Sequence, residues 1–256
     1  MKRIFVTYCF IILYAISIKA QDQVEVGIDE QLGAIIPLDV EFVDSEGDTV
    51  TLGEVINKPV LLSLVYYECP GICSPLLSEL SWTLDRIDLA PGEDFQVIAL
   101  SFDHRETPAI SSKWKKNYLK SFTKREFPSS AWTFLTGDSL SIKKVTDAVG
   151  FRFKKSDDDQ YLHAGTLVSL SPEGKISRYI FGSDYNQFDL KMALIDAESG
   201  KTQPTVAKML QFCFSYDPEG RTYTLNITRI VGTIMLLGIG AFALVLTVKK
   251  KKNRGA

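Results

Sequence analysis

The chain has 256 residues, 45% of them hydrophobic, with 29 basic and 31 acidic side chains. That length admits one large or two small domains, and the formal charge of −2 conceals an uneven distribution. All 31 acidic residues lie between an apolar N-terminal stretch and an apolar C-terminal one, where only 21 basic residues accompany them, so the middle carries −10. An acidic domain of this kind excludes nucleic acid as a partner.

Residues 1–20 open with Lys2 and Arg3, run through "IFVTYCFIILYAISI" and reach Ala20 before polar "QDQ". Basic start, short apolar run and small residue are the pattern of a secretory signal. In the exported region, 21–211, "VEFVDSEGDTVTLGEV" alternates around an acidic glycine turn, Asp44 to Asp48, and predicts a hairpin. "PVLLSLVYY", Pro59 to Tyr67, is apolar without alternation, as in a strand covered on both faces and lying centrally in a sheet.

Leu76, Leu77, Leu80, Leu84 and Ile87 then recur at three and four residues, predicting an amphipathic helix that ends before Pro91-Gly92. "FQVIALSF" is a second buried strand, and Thr107-Pro108 starts the next helix with a capping residue followed by Pro, whose missing N–H costs nothing there. "AWTFLTG" reads as a strand, "SLSIKKVTDAVG" as a helix closed by Gly150, and "HAGTLVSLSPEGKISRYIFG" as a hairpin around Pro172-Glu173-Gly174. A last helix surrounds "NQFDLKMALIDAES". Strands alternating with helices specify an α/β domain with a central sheet and helices on both sides.

Residues 212–229 form a short juxtamembrane segment. They lead into "IVGTIMLLGIGAFALVLTV", 230–248, whose 19 uncharged residues would cover ~28 Å of a ~30 Å hydrocarbon core as a helix. This predicts a transmembrane helix. "KKKKNR" in the tail, 249–256, marks the cytoplasmic side, so the globular domain is expected outside a bacterial cytoplasmic membrane, in the periplasm.

Of four cysteines, Cys9 leaves with the signal, and the odd number remaining argues against a disulfide scaffold. Cys69 and Cys73, in "LVYYECPGICSPLLSEL", stand where a buried strand gives way to a helix, the place where ligand sites of α/β proteins gather. Three readings are open: a disulfide closing a short loop, a redox couple, or two ligands of a soft metal. A helix N-terminus presents free N–H groups and a positive dipole end, which favour thiolates. Two sulfurs are too few for a closed zinc site, and the only histidines that could add a ligand are His104 and His163. Cys213 lies beyond the core pattern and reads as a bystander.

Over about 27–200 the chain resembles the Sco/SenC family of thioredoxin-fold copper proteins. The resemblance rests on "YYECPGICSPLLSEL", on "VIALSFDHRETPAI" and on the single histidine before "TLVSLSPEGKISRYIFG". It implies a thioredoxin-like mixed sheet and one copper per chain, Cu(I) or Cu(II), held by Cys69, Cys73 and His163. It further implies a role in assembling the CuA centre of cytochrome c oxidase, with the subunit carrying that centre as partner and other periplasmic copper or thiol-redox proteins as further ones. The chain departs from the family's habit at Leu162, where Asp often precedes the histidine, and at Ser74, where Pro commonly follows the second cysteine. Its anchor is C-terminal rather than N-terminal.

Two functions follow. A membrane-tethered copper metallochaperone needs the imidazole as well as the thiols. A thiol-disulfide oxidoreductase, with Cys69 and Cys73 as its redox-active pair, needs only the thiols.

Overall fold

The computed structural model describes residues 26–203 except 70, 72, 157, 158, 183 and 184, together with 214–217, 222–225, 232, 235 and 238–240. The expected signal, Cys213, the basic tail and most of 230–248 lie outside the described residues. Among the described residues no helix is long and apolar enough to cross a membrane.

In chain order the elements are β1 (Gly27–Ile28), β2 (Glu41–Asp44), β3 (Thr49–Thr51), α1 (Leu52–Val55), β4 (Val60–Val65), α2 (Cys73–Leu84), β5 (Gln96–Ser101) and α3 (Pro108–Leu119). There follow β6 (Trp132–Thr136), α4 (Ser139–Ala148), β7 (Phe151–Arg152), β8 (Lys154–Lys155), β9 (Tyr161–Leu162), β10 (Thr166–Leu170), β11 (Ile176–Phe181) and α5 (Gln187–Glu198). A separate hairpin, β12 (Phe214–Asp217) with β13 (Thr222–Leu225), lies within 212–229, the segment expected to be juxtamembrane.

Seven strands form one mixed sheet in the order β11-β10-β4-β5-β6-β2-β3. β4, β5 and β6 run parallel, with Val65 beside Ser101, while β10 joins β4, and β2 joins β6, antiparallel. All six residues of β4 are buried. Successive side chains point to opposite faces, so this strand is covered on both, as its unbroken apolar run predicts. α3 packs on β6 and β2, and α5 on β10, β11 and β4.

Local chemistry sets the boundaries. Thr51 and Glu54 form a reciprocal capping box, which turns "TLGEV" into the short helix α1 where the alternation suggested more strand. Asp138 caps α4 by accepting from Leu140 N at 2.7 Å and Ser141 N at 2.8 Å. Gly150 ends the same helix at φ +64°, and a Cβ there would meet the Asp29 carbonyl oxygen at 1.8 Å. Only glycine permits that approach, which pins β1 beside β7. The first predicted helix, α2, stops at Leu84; Ile87 is still buried but lies past its end.

The parallel strands direct their C-terminal ends to one edge of the sheet. Val65 leads to Cys69, and Ser101 leads through Phe102 and Asp103 into α3. Antiparallel β10, whose N-terminal end comes to the same edge, begins three residues after His163. The topology alone gathers distant parts of the sequence at this edge.

Candidate metal and thiol site

Cys69 follows the turn after β4, where its N–H donates to the Tyr66 carbonyl at 3.3 Å. Cys73 is the first residue of α2. The pair does not share a helical face, because only Cys73 is helical, yet their sulfurs come to one place. His163 lies just after β9 and reaches the same place from the other side of the sheet edge. Its Nε2 is 3.3 Å from Cys73 Sγ.

The two sulfurs and one imidazole nitrogen all lie within 4.8 Å of one another, and among the described residues this is the group of histidine, cysteine and acidic side chains disposed to hold a metal ion. Relative exposures of 7% for Cys69, 2% for Cys73 and 6% for His163 put the group inside the protein. Both cysteines are free thiols.

The donor set fits a soft metal. His163 Nδ1 donates to the Ala164 carbonyl at 3.1 Å, which directs the Nε2 lone pair toward the sulfurs, the arrangement in which an imidazole ligates. Thiolate sulfur selects Cu(I) among the available metals, and imidazole suits copper as well. Aromatic rings wall the imidazole: Phe102 at 5.0 Å, with Tyr66 and Phe151 both at 6.0 Å between centroids. Such a dry wall strengthens every electrostatic interaction inside it.

The two thiols are unequal. A hydrogen bond from the Cys73 thiol holds the Cys69 thiol down at about 3 against the opposing effect of burial. The Gly71 N–H also points at Cys69 Sγ, at 3.3 Å. Burial pushes the Cys73 thiol well up, and its neighbour's charge adds to the rise. The helix start was expected to favour both thiolates; desolvation at the first residue of α2 outweighs the dipole, and the anion resides on the cysteine outside the helix.

Glu106 supports this arrangement from below. It is a buried carboxylate accepting from Tyr67 N at 2.8 Å, Glu68 N at 2.8 Å and the Ser101 hydroxyl at 2.6 Å. It therefore ties the segment leading into Cys69 to the end of β5. Burial raises its pKa, and these three donors oppose the rise. In the sequence, Glu106 is marked only as a carboxylate directly before the Thr107-Pro108 helix start, which does not distinguish it from a surface residue. His104, the other histidine, is exposed in the turn before α3 and is not brought to the sulfurs.

Comparison with known proteins agrees with this geometry. The SCO1/SenC family model matches residues 29–194. A SCO1 protein homolog of Bacillus subtilis is 25% identical over 152 residues, covering 58% of this chain and 75% of the relative. A crystal structure of a candidate electron transfer protein from Aquifex aeolicus superposes with TM-score 0.59 at 30% identity, covering 66% of this chain and 95% of that one. Arabidopsis thaliana ScoI with copper bound superposes with TM-score 0.51 at 22% identity, covering 65% and 97% respectively, which shows a shared fold. With its thioredoxin-like sheet and a family match across most of the described domain, the chain belongs to the SCO1/SenC family.

Proposed function

We propose that this chain is a membrane-tethered copper metallochaperone for the CuA centre of cytochrome c oxidase. Copper is its cargo, one ion per chain, with Cys69, Cys73 and His163 as ligands. The observation that carries the reading is the convergence of two sulfurs and one correctly oriented imidazole nitrogen within 4.8 Å. A simple dithiol would need no imidazole from ninety positions away. When bound, the ion supplies the cargo and its redox states; the chain supplies soft donors, a dry wall and a fixed imidazole. The tether in this reading is 230–248, with the domain on the periplasmic side.

Cells lacking the protein, complemented with His163→Ala and grown at limiting copper, test this reading. Loss of oxidase maturation is expected. Normal maturation would move a thiol-disulfide function into first place.

One observation favours that second function: the thiol of Cys69 is held at about 3, so a thiolate is present at neutral pH. Its sulfur would attack a partner disulfide, forming a mixed disulfide and releasing one partner thiolate. Cys73, after losing its proton, would then attack the Cys69 sulfur, releasing the second partner thiolate. Two electrons pass to the partner, and Cys69 and Cys73 finish as a disulfide.

A further inference from the structure

His163 is reached through a short hairpin, β8 with β9, in which Lys154 pairs with Leu162 and Lys155 with Tyr161. Two layers hold this hairpin against the sheet edge. The inner layer is aromatic: the Tyr161 ring meets Tyr66 at 5.4 Å and Phe102 at 5.6 Å between centroids. The outer layer is polar and centres on Arg105.

The Arg105 guanidinium grips Asp103 with two nitrogens, Nε at 2.8 Å from Oδ1 and Nη2 at 2.7 Å from Oδ2. Asp103 is buried beneath it, so the fork is fixed before it meets anything else. Its remaining nitrogen, Nη1, donates to Asp159 in the hairpin turn, and its plane sits 5.6 Å from the Tyr161 ring centroid. Asp159 also pairs with Lys155. The guanidinium thus touches the end of β5, the turn of the hairpin and the strand that delivers His163.

A second observation concerns the turn itself. Asp159 has φ +65°, the one non-glycine residue among the described residues in the left-handed region. That region favours glycine, yet a carboxylate stands there, and it is the group that both Arg105 and Lys155 hold. The backbone is placed where the carboxylate can be used.

We infer that Arg105 is a positioning residue for His163: by bridging Asp103 and Asp159 it clamps the β8–β9 hairpin onto the end of β5 and sets the imidazole's reach to the sulfurs. The inference rests on the proposed ligand role of His163 only for its consequence in copper binding; the clamp itself concerns the metal-free chain. An isolated exposed ion pair would contribute little. This one differs because one end is anchored on a buried carboxylate, so little side-chain freedom is lost when the other end closes.

The test uses the full-length chain with Arg105→Ala, Asp159→Gly and the double variant. Asp159→Gly removes the carboxylate while suiting the backbone conformation, so it keeps the question open should Arg105→Ala fail to fold. In metal-free protein, amide exchange at Ser156, which donates to the Gln160 carbonyl at 2.8 Å, is expected to accelerate at least tenfold in each variant. The His163 imidazole signals should broaden. The double variant should match the singles. Alkylation of Cys69 should stay within threefold of the parent, because its Cys73 and Gly71 donors are untouched. Cu(II) retention against a chelator should fall at least tenfold, toward the level of His163→Ala. Unchanged Ser156 exchange and unchanged imidazole signals in both single variants would overturn the clamp. Full Cu(II) retention by His163→Ala, with the exchange results as expected, would instead defeat the copper reading and leave the clamp standing.

Discussion

Cys73 Sγ and His163 Nε2 stand 3.3 Å apart, although ninety positions separate the two residues. The contact exists because β4 and β10 are antiparallel neighbours, with Ser63 opposite Leu167. The end of one strand and the beginning of the other meet at the same sheet edge. The cysteines follow β4 and the histidine precedes β10, so one register brings sulfur and imidazole together.

The inequality of the thiols makes a labelling prediction. With Cys69 anionic above about pH 3, its alkylation by iodoacetamide should vary little between pH 5 and pH 8, and Cys73 should remain unlabelled. Cys73→Ala removes the main donor to Cys69, so the rate in that variant should climb with pH. Peptide mapping after timed quenching reads both. A parent rate rising about tenfold per pH unit, the behaviour of an ordinary thiol below its pKa of roughly 8.5, would contradict the assignment.

Glu106 should matter to stability and to thiol chemistry together. Glu106→Ala leaves the Tyr67 and Glu68 N–H groups without their acceptor, each at a cost of about 1–3 kcal/mol where burial keeps water out. A loss of roughly 2–4 kcal/mol is expected by denaturant unfolding, with Cys69 becoming less selectively reactive. Glu106→Gln keeps one acceptor oxygen and should recover about half of the loss. Wild-type stability in Glu106→Ala would show that the loop is held by other contacts.

Asp85, at the end of α2, predicts an acid dependence away from the site. Burial raises its pKa, but the N–H groups of Lys124, Thr123 and Arg125 outweigh that and lower it. A carboxylate depressed in the folded state stabilises fully above its unfolded value, about 3.9, and the contribution disappears as pH falls through the folded value. Asp85→Ala should therefore cost about 1.5–3 kcal/mol at pH 7. The gap between variant and parent should narrow below pH 4. Thermal unfolding at pH 7 and pH 3 measures it, and an equal gap at both would contradict the account.

The proposed topology has its own test. Protease added to right-side-out spheroplasts should degrade the domain containing Cys69 and leave the basic tail protected. Protection of the domain with cleavage of the tail would invert the orientation.

The sequence was most legible where a single pattern decides an element. The unbroken apolar run of β4, the Thr107-Pro108 start of α3 and the Gly150 stop after α4 all correspond to elements of the fold. Thr107 makes no side-chain cap there, so Pro108 marks the start. The hairpin of β8 and β9 was less legible because its strands are two residues long and polar on one side. Arg105 and Asp159 meet across 54 positions, and no local periodicity announces such a pair. Cys69 and Cys73 could be found by spacing. His163 could be preferred over His104 only through the family resemblance, because the register of β10 on β4 is a tertiary fact. Glu106 and Phe102 depend on the parallel pairing of β5 with β4, and Phe151 on the pairing of β7 with β1, which are tertiary facts of the same kind.

The most direct measurement is a titration of the purified full-length protein with Cu(I) and with Cu(II), beside Cys69→Ala, Cys73→Ala and their double variant. The account predicts one copper per parent chain in each oxidation state, since two thiolates suit Cu(I) and the added imidazole suits Cu(II). Either single variant should lose stoichiometric binding. Full-affinity binding of one copper by the double variant would contradict the central claim, because the metal would then be held by residues other than the sulfurs at the end of β4.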